Sequence, residues 1–350
     1  MSSLTMQMSP EQCSSLLESK LLPLDVADRV AAMQRQESTH YRCRDYIRKA
    51  IRHSAYPHQR KDVVDAECRA KMCDWCYQVT DFCKFSRQTV ATSMSYLDRF
   101  MSTNHLTAAQ ALYSKKKYQL AAMTCLYMAI KLFEPMAMDT ALLSEISHGC
   151  YDEEDIERME QDILQALGWR MNGPTTHDML SHLIMLLPKA TYRDDDSVAS
   201  ALLDFSRFQV EIAISDYGLA LEKPSVVALA AILNSAEGIS EMLFSAQDRY
   251  QYLQSIMNLT GMNSFTTKVN AVRIRLLTLF EMNSGYHLPQ IANLTPVVYM
   301  EHSIFQSNFS IDDAGSKSPV SVTREALSEK CQVSVAKFMI DEVTTDNVLL

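Results

Sequence analysis

Apolar positions recur with helical spacing along this chain, and one stretch is apolar on every side. From Leu120 to Ile130 only Thr124 is polar, and its hydroxyl can bond the carbonyl one turn earlier. A run of good helix formers that is apolar all round is typical of a helix buried all round. Over residues 118–133 it is roughly 24 Å long, too short to span a bilayer comfortably. The pattern predicts a hub helix with other helices packed around it.

Charged side chains interrupt the apolar faces of the predicted neighbouring helices. Arg69 lies on a mostly apolar face, and Asp98 borders the apolar stripe of the next helix. Glu160 lies on the apolar face of a helix over residues 152–169, and Lys131 stands at the exit of the hub. Because a bare charge on an apolar face is costly, we expect two ion pairs, Arg69 with Asp98 and Lys131 with Glu160.

The same plan is repeated in the second half of the chain. Asn172-Gly173-Pro174 breaks the first pattern, and a second apolar, small-residue helix spans 226–233. The sequence therefore predicts an all-α fold of two tandem five-helix domains with an N-terminal helix and a disordered C-terminal tail. The predicted divisions are a loosely held N-terminal arm with a short helix (1–40), a first domain with its preceding helix (41–173), a second domain (174–284) and the disordered tail (285–350).

Composition narrows the classes of partner. The net charge of −9 disfavours a nucleic-acid partner unless a local basic patch exists. Nine scattered cysteines, and an N-terminus without a basic stretch followed by an apolar one, favour free thiols in a reducing compartment. No run approaches the length of a membrane span. We expect a soluble intracellular protein, with neither nucleic acid nor membrane as a partner.

Motifs for catalysis and for metal binding are missing from the sequence. It contains no Gly-x-Gly-x-x-Gly, Gly-x-x-x-x-Gly-Lys, Gly-x-Ser-x-Gly or His-Glu-x-x-His. Cys73 and Cys76 have zinc-like spacing, but both lie on one predicted helix and no second pair follows at ligand spacing. The sequence therefore predicts no catalytic residue, no metal and no cofactor.

Four segments resemble those of the cyclin family, in the right order and spacing. They are Cys-Arg-Ala-Lys-Met-Cys-Asp-Trp (68–75), Tyr-Leu-Asp-Arg-Phe (96–100), Ala-Ile-Lys (129–131) with Glu134, and Arg-Met-Glu (158–160) with Leu167 and Trp169. The resemblance covers about residues 40–285. Within the family the closest likeness is to D-type cyclins, through Pro-Thr-Thr-His-Asp-Met-Leu (174–180) and Lys-Pro-Ser-Val-Val-Ala (223–228).

The resemblance implies a non-catalytic subunit that binds and activates a cyclin-dependent serine/threonine kinase to control the cell cycle, with G1/S as a possible phase. It implies a nuclear and cytoplasmic location. The kinase-binding residues it indicates are Lys131, Glu160, Leu132, Phe133, Glu134, Tyr46 and Ile47. We assign Arg69 and Asp98 a structural role, in which their ion pair orients the two helices that carry them.

The family also implies a patch that docks substrate peptides around the signature tryptophan. The matching residues are Met72, Trp75, Tyr118, Gln119 and Ile146. Cys68, Lys71 and Gln78 depart from the mitotic pattern of Met, Ile and Glu. Because a carboxylate is lost and a cation gained, we expect weak docking of basic peptides.

Two other functions stay open beside kinase activation. A cyclin-fold scaffold or adaptor that activates no kinase is compatible with the same residues, because their retention shows a capacity to bind a kinase and not its use. A transcription initiation factor of the cyclin-like superfamily would need a basic DNA-binding surface, which the net charge disfavours.

Overall fold

The computed structural model describes residues 23–53, 63–136, 138–188 and 197–284. These residues form fourteen helices and no strand, which confirms the predicted all-α class. The helices are α1 (Pro23–Ser38), α2 (Tyr46–His53), α3 (Ala66–Cys83), α4 (Gln88–Met101), α5 (Leu106–Ala111), α6 (Lys115–Phe133), α7 (Thr140–Ile146), α8 (Glu153–Ala166), α9 (Thr176–Ile184), α10 (Ser197–Ser215), α11 (Tyr217–Ala220), α12 (Pro224–Gly238), α13 (Ala246–Thr260) and α14 (Thr267–Ser284).

Contacts divide the described residues into two compact units. One contains residues 43–53, 63–136, 138–171 and 215–221, and the other contains 23–42, 172–188, 197–214 and 222–284. The predicted boundaries at 40, 173 and 284 stay a prediction. The predicted tail, 285–350, and the first 22 residues of the predicted arm lie outside the described residues.

The hub of the first unit is α6. Ser114 begins it, because its side chain accepts the backbone N–H of Lys117. Every residue from Leu120 to Ile130 is buried, as the all-apolar pattern predicts. The Thr124 hydroxyl donates to the Leu120 carbonyl at 2.8 Å. The helices α3, α4, α5, α7 and α8 pack around it.

The second unit has a hub of its own, α12, which begins at Pro224 and packs against α9 and α14. Helix α1 packs against α9 and α13 of the same unit and buries Val26, Val30 and Met33. The expectation of a loosely held arm is therefore wrong for residues 23–38, whose apolar stripe is covered.

The helix starts of this second unit are capped in two ways. Helix α9 begins with a capping box, in which Thr175 and Asp178 each accept the other's backbone N–H. Helix α12 has no side-chain cap from Lys223. The buried carboxylate of Glu37 accepts instead, from the backbone N–H of Ser225 at 2.9 Å and from its hydroxyl. Glu37 thus joins the end of α1 to the start of α12.

His177 in α9 gives this unit a dependence on pH. Burial, reinforced by the charge of Arg207, lowers the pKa of His177 from 6.5 to about 3. The unfolded chain takes up a proton near pH 6.5 and the folded chain does not, so stability falls as the pH falls through this window. The contribution is about 1.4 kcal/mol per pH unit. We expect His177→Gln to lose less stability between pH 6 and 4 than the natural chain, by about that slope, in urea unfolding followed by circular dichroism.

The exposed His40 supplies the control for this measurement. His40→Gln should keep the slope of the natural chain. Equal slopes for His177→Gln and the natural chain would show that His177 is solvated or paired in the folded state.

Candidate functional site

Lys131 and Glu160 meet at the end of the hub. The Nζ atom of Lys131 lies 3.1 Å from Oε1 and 3.4 Å from Oε2 of Glu160 on α8. The side chain of Lys131 is 52% exposed and that of Glu160 is 18% exposed. The hydrogen bond to Glu160 raises the pKa of Lys131, so the ammonium stays charged. The pair is an exposed, charged feature between two helix faces.

The residues that follow Lys131 are divided between the surface and the interior. Leu132 is 51% exposed, and Phe133 and Glu134 are half-buried. The carboxylate of Glu134 is engaged within the unit, because it accepts the backbone N–H of Ser86 at 3.0 Å and the Thr89 hydroxyl. Glu134 therefore ties the end of α6 to the residues around the start of α4, while the backbone N–H of Gln88 in that helix donates to the Ser86 hydroxyl at 3.3 Å.

Arg69 and Asp98 form a buried, two-pronged ion pair between α3 and α4. The Nε and Nη2 atoms of Arg69 lie 2.8 Å from the two carboxylate oxygens of Asp98. Their side chains are 1% and 6% exposed. Tyr46 donates its hydroxyl to the same carboxylate at 2.9 Å. Although burial alone would lower the pKa of Arg69, the charge and hydrogen bonds of Asp98 raise it well above its usual range.

Two predicted kinase-binding residues lie in the interior of this unit. Tyr46 and Ile47 are buried, because the Tyr46 hydroxyl reaches Asp98 and the Ile47 backbone N–H donates to the Tyr217 hydroxyl at 3.1 Å. In this structure they support α2 and offer little surface to a partner.

The predicted docking patch is also largely covered. Met72, Trp75 and Tyr118 are buried, and Gln119 and Ile146 are half-buried. Tyr151, which no motif of the sequence indicates, contacts this patch. Its hydroxyl donates to the Lys116 carbonyl at 2.7 Å and lies 2.9 Å from Oε1 of Gln119. A peptide docked here would contact Gln119 and Ile146 before it reached the buried tryptophan.

The cysteine pair of α3 makes separate contacts. Cys73 accepts the Ser215 hydroxyl at 3.4 Å, and Cys76 lies 4.0 Å from the Ser93 hydroxyl. Burial raises the pKa of Cys73 to about 12, so its thiol stays protonated, whereas a metal ligand must be a thiolate.

Within the described ranges, none of the helices has the length and apolar character needed to cross a membrane.

The known proteins to which this chain is similar include cyclins. The model described as "Cyclin, N-terminal domain" matches residues 36–172. Cyclin-A3-1 of Oryza sativa subsp. japonica is 28% identical over 170 residues, which are 48% of this chain and 42% of the relative. G1/S-specific cyclin-D1 of Mus musculus is 24% identical over 51% of this chain and 57% of its own length. Cyclin-B2-2 of Arabidopsis thaliana is 29% identical over 54% and 41%. The first three curated relatives are thus matched over less than half of their length.

Solved structures give distant matches. A viral cyclin from herpesvirus saimiri matches with a TM-score of 0.47 and 19% identity over 63% of this chain and 89% of its own. The CAK complex from Chaetomium thermophilum bound to ATP-gamma-S matches with a TM-score of 0.43 and 18% identity over 78% and 76%.

Proposed function

The chain belongs to the cyclin family through residues 36–172, and from that premise we propose that it binds and activates a cyclin-dependent serine/threonine kinase as a non-catalytic subunit. The observation that carries the proposal is the exposed Lys131–Glu160 pair beside Leu132 at the end of the hub. Relatives of the A, B and D types all match at 24–29% identity. These identities do not single out one type. We extend the proposal to a D-type likeness, a G1/S role and a nuclear and cytoplasmic location.

The geometry suits a surface that holds a mobile kinase helix. Lys131 lies in the last turn of α6, where a cation complements the negative end of the helix dipole and can bond carbonyl groups. Leu132 adds an apolar contact, and Glu160 fixes the direction of the lysine. The rigid packing of the hub keeps these side chains in place while the kinase changes conformation, which is the step that controls catalysis in protein kinases.

Lys131→Ala with Glu160→Ala should abolish most kinase activation. Truncation of a hot-spot residue at the centre of an interface costs about 2 kcal/mol or more, so activity should fall more than tenfold. The measurement is phosphorylation of histone by a panel of purified, cyclin-free cyclin-dependent kinases mixed with each variant. The free energy of unfolding should change by less than about 1 kcal/mol, because the ion pair is exposed.

Arg87 and Asp81 supply a matched control. They form another exposed ion pair of the same unit, with 2.6 Å between Nη1 and Oδ2. Arg87→Ala with Asp81→Ala should leave activation near the natural level. If no kinase in the panel is activated by the natural chain, or if both double variants lose activity equally, the proposal fails and the cyclin-fold scaffold takes its place.

A further inference from the structure

Helix α2 presents a basic face in a chain of net negative charge. Arg48, Lys49 and Arg52 are exposed, whereas Tyr46, Ile47 and Ala50 are buried on the opposite side. Residues three and four apart share a helix face, so Arg48 and Arg52 stand beside each other. The whole chain carries a net charge of −9, whereas this short helix exposes three cationic side chains.

The cations of this face are open to a partner. Within the described residues, no carboxylate forms an ion pair with Arg48, Lys49 or Arg52. The nearest acid along the chain, Asp45, is occupied, because its Oδ1 accepts the Arg48 backbone N–H and the Tyr217 hydroxyl, each at 3.0 Å. The Nζ atom of Lys49 has only a long contact of 3.5 Å to the amide oxygen of Asn104.

Two exposed apolar side chains accompany the cations. Ile51 is 48% exposed and Tyr113 is 40% exposed. The Tyr113 hydroxyl donates to the carbonyl of Ala50 at 3.3 Å, so the tyrosine lies against the helix next to Ile51. We call Arg48, Lys49, Ile51, Arg52 and Tyr113 the α2 basic surface. An apolar centre with a charged rim is the usual anatomy of a protein-binding site.

We propose that the α2 basic surface binds an acidic peptide segment of a partner protein, one that carries a large apolar side chain for Ile51 and Tyr113. A nucleic acid fits less well. The eight residues of α2 are about 12 Å long, and duplex DNA carries a charge about every 1.7 Å, so most of a duplex would face the acidic remainder of the chain. A short acidic peptide matches both the size and the apolar centre.

This surface is separate from the proposed kinase-binding pair. Tyr113 lies just before α6 begins at Lys115, and Lys131 lies in its last turn. Sixteen residues of helix place the two ends about 24 Å apart. The inference does not depend on kinase activation.

Titration of the full chain with a labelled peptide tests the inference. The probe is a fluorescein-labelled peptide of alternating Asp and Glu with a central Leu-Phe pair, followed by fluorescence anisotropy. Arg48→Gln, Lys49→Gln and Arg52→Gln together should weaken binding about tenfold, since each exposed charge pair contributes modestly. Raising the salt concentration should weaken binding to the natural chain further. Ile51→Ser should weaken binding about fivefold, and should have no effect on a peptide that lacks Leu-Phe.

A matched triple variant controls for net charge. Arg29, Lys84 and Arg170 are exposed elsewhere, and their joint replacement by Gln should leave the affinity unchanged. The Lys131→Ala, Glu160→Ala protein should bind the acidic peptide normally, which separates this test from that of the kinase. Equal affinities for the two triple variants would overturn the inference. So would tighter binding of a single-stranded oligonucleotide of equal charge, or of a peptide with Arg and Lys in place of the acids.

Discussion

Asp98→Ala should lower the free energy of unfolding by about 3–5 kcal/mol, the cost of leaving one partner of a buried ion pair without the other. Removal of the carboxylate takes two hydrogen bonds from Arg69 and one from Tyr46. The guanidinium also donates to the Ser215 carbonyl, 3.3 Å from Nη1, but a neutral carbonyl cannot neutralise its charge. Equilibrium urea unfolding followed by circular dichroism gives the loss directly.

Asp81→Ala is the matched control, because Asp81 also binds an arginine through both carboxylate oxygens, at 2.7 and 2.6 Å. That pair is exposed, so its loss should cost less than about 1 kcal/mol. Replacing both buried partners, Arg69→Met with Asp98→Leu, should recover much of the stability lost in Asp98→Ala, since no charge is then left in the interior. A similar small loss for Asp98→Ala and Asp81→Ala would mean that water reaches Arg69.

The buried charge pair could be predicted from the sequence because a charge on an apolar helix face requires a partner. Arg69 and Asp98 stand on faces that are otherwise apolar, and adjacent helices bring such positions together. The same reasoning placed Lys131 beside Glu160. The hub helix could also be predicted from the sequence, because a helix that is apolar on all sides is stable when it is buried on all sides.

The long-range cap could not be predicted. Helix α12 lacks a capping side chain at Lys223, and Glu37 supplies the acceptor from elsewhere in the chain. The missing local cap is itself a signal, because the first N–H groups of a helix need acceptors. Sequence alone shows that an acceptor is needed without showing which carboxylate provides it.

Amphipathic side chains account for the differences at the predicted binding surfaces. Tyrosine and tryptophan occur both in cores and at interfaces, because each combines a large apolar ring with one polar group. Tyr46 was predicted to bind the kinase, and it lies buried with its hydroxyl donating to Asp98. Trp75 and Tyr118 were predicted in a docking patch and are buried as well. Spacing along a helix identifies the face of such a residue, and packing decides whether a partner can reach it.

Leu126→Ala should lower the free energy of unfolding by about 3–5 kcal/mol through loss of buried methyl groups and the cavity that replaces them. Leu126 is fully buried at the centre of α6, and the helices around it cannot all move inward to fill the space, because each also packs against its own neighbours. Alanine is the best helix former, so the substitution does not lower the helix propensity of α6. The expected loss of stability comes from packing. Urea unfolding measures the change.

Leu132→Ala on the same helix separates packing from binding. The substitution is chemically identical six residues further on, but Leu132 is about half exposed, so stability should change by less than about 1 kcal/mol. If Leu132 contacts the kinase, its variant should weaken kinase activation while the chain stays as stable as the natural one. Leu126→Ala should instead shift the unfolding midpoint and leave activation unchanged under conditions in which the protein remains folded. Equal losses of stability for the two variants would show that the end of α6 is as tightly packed as its centre, and Leu132 would then belong to the core and not to the proposed binding surface.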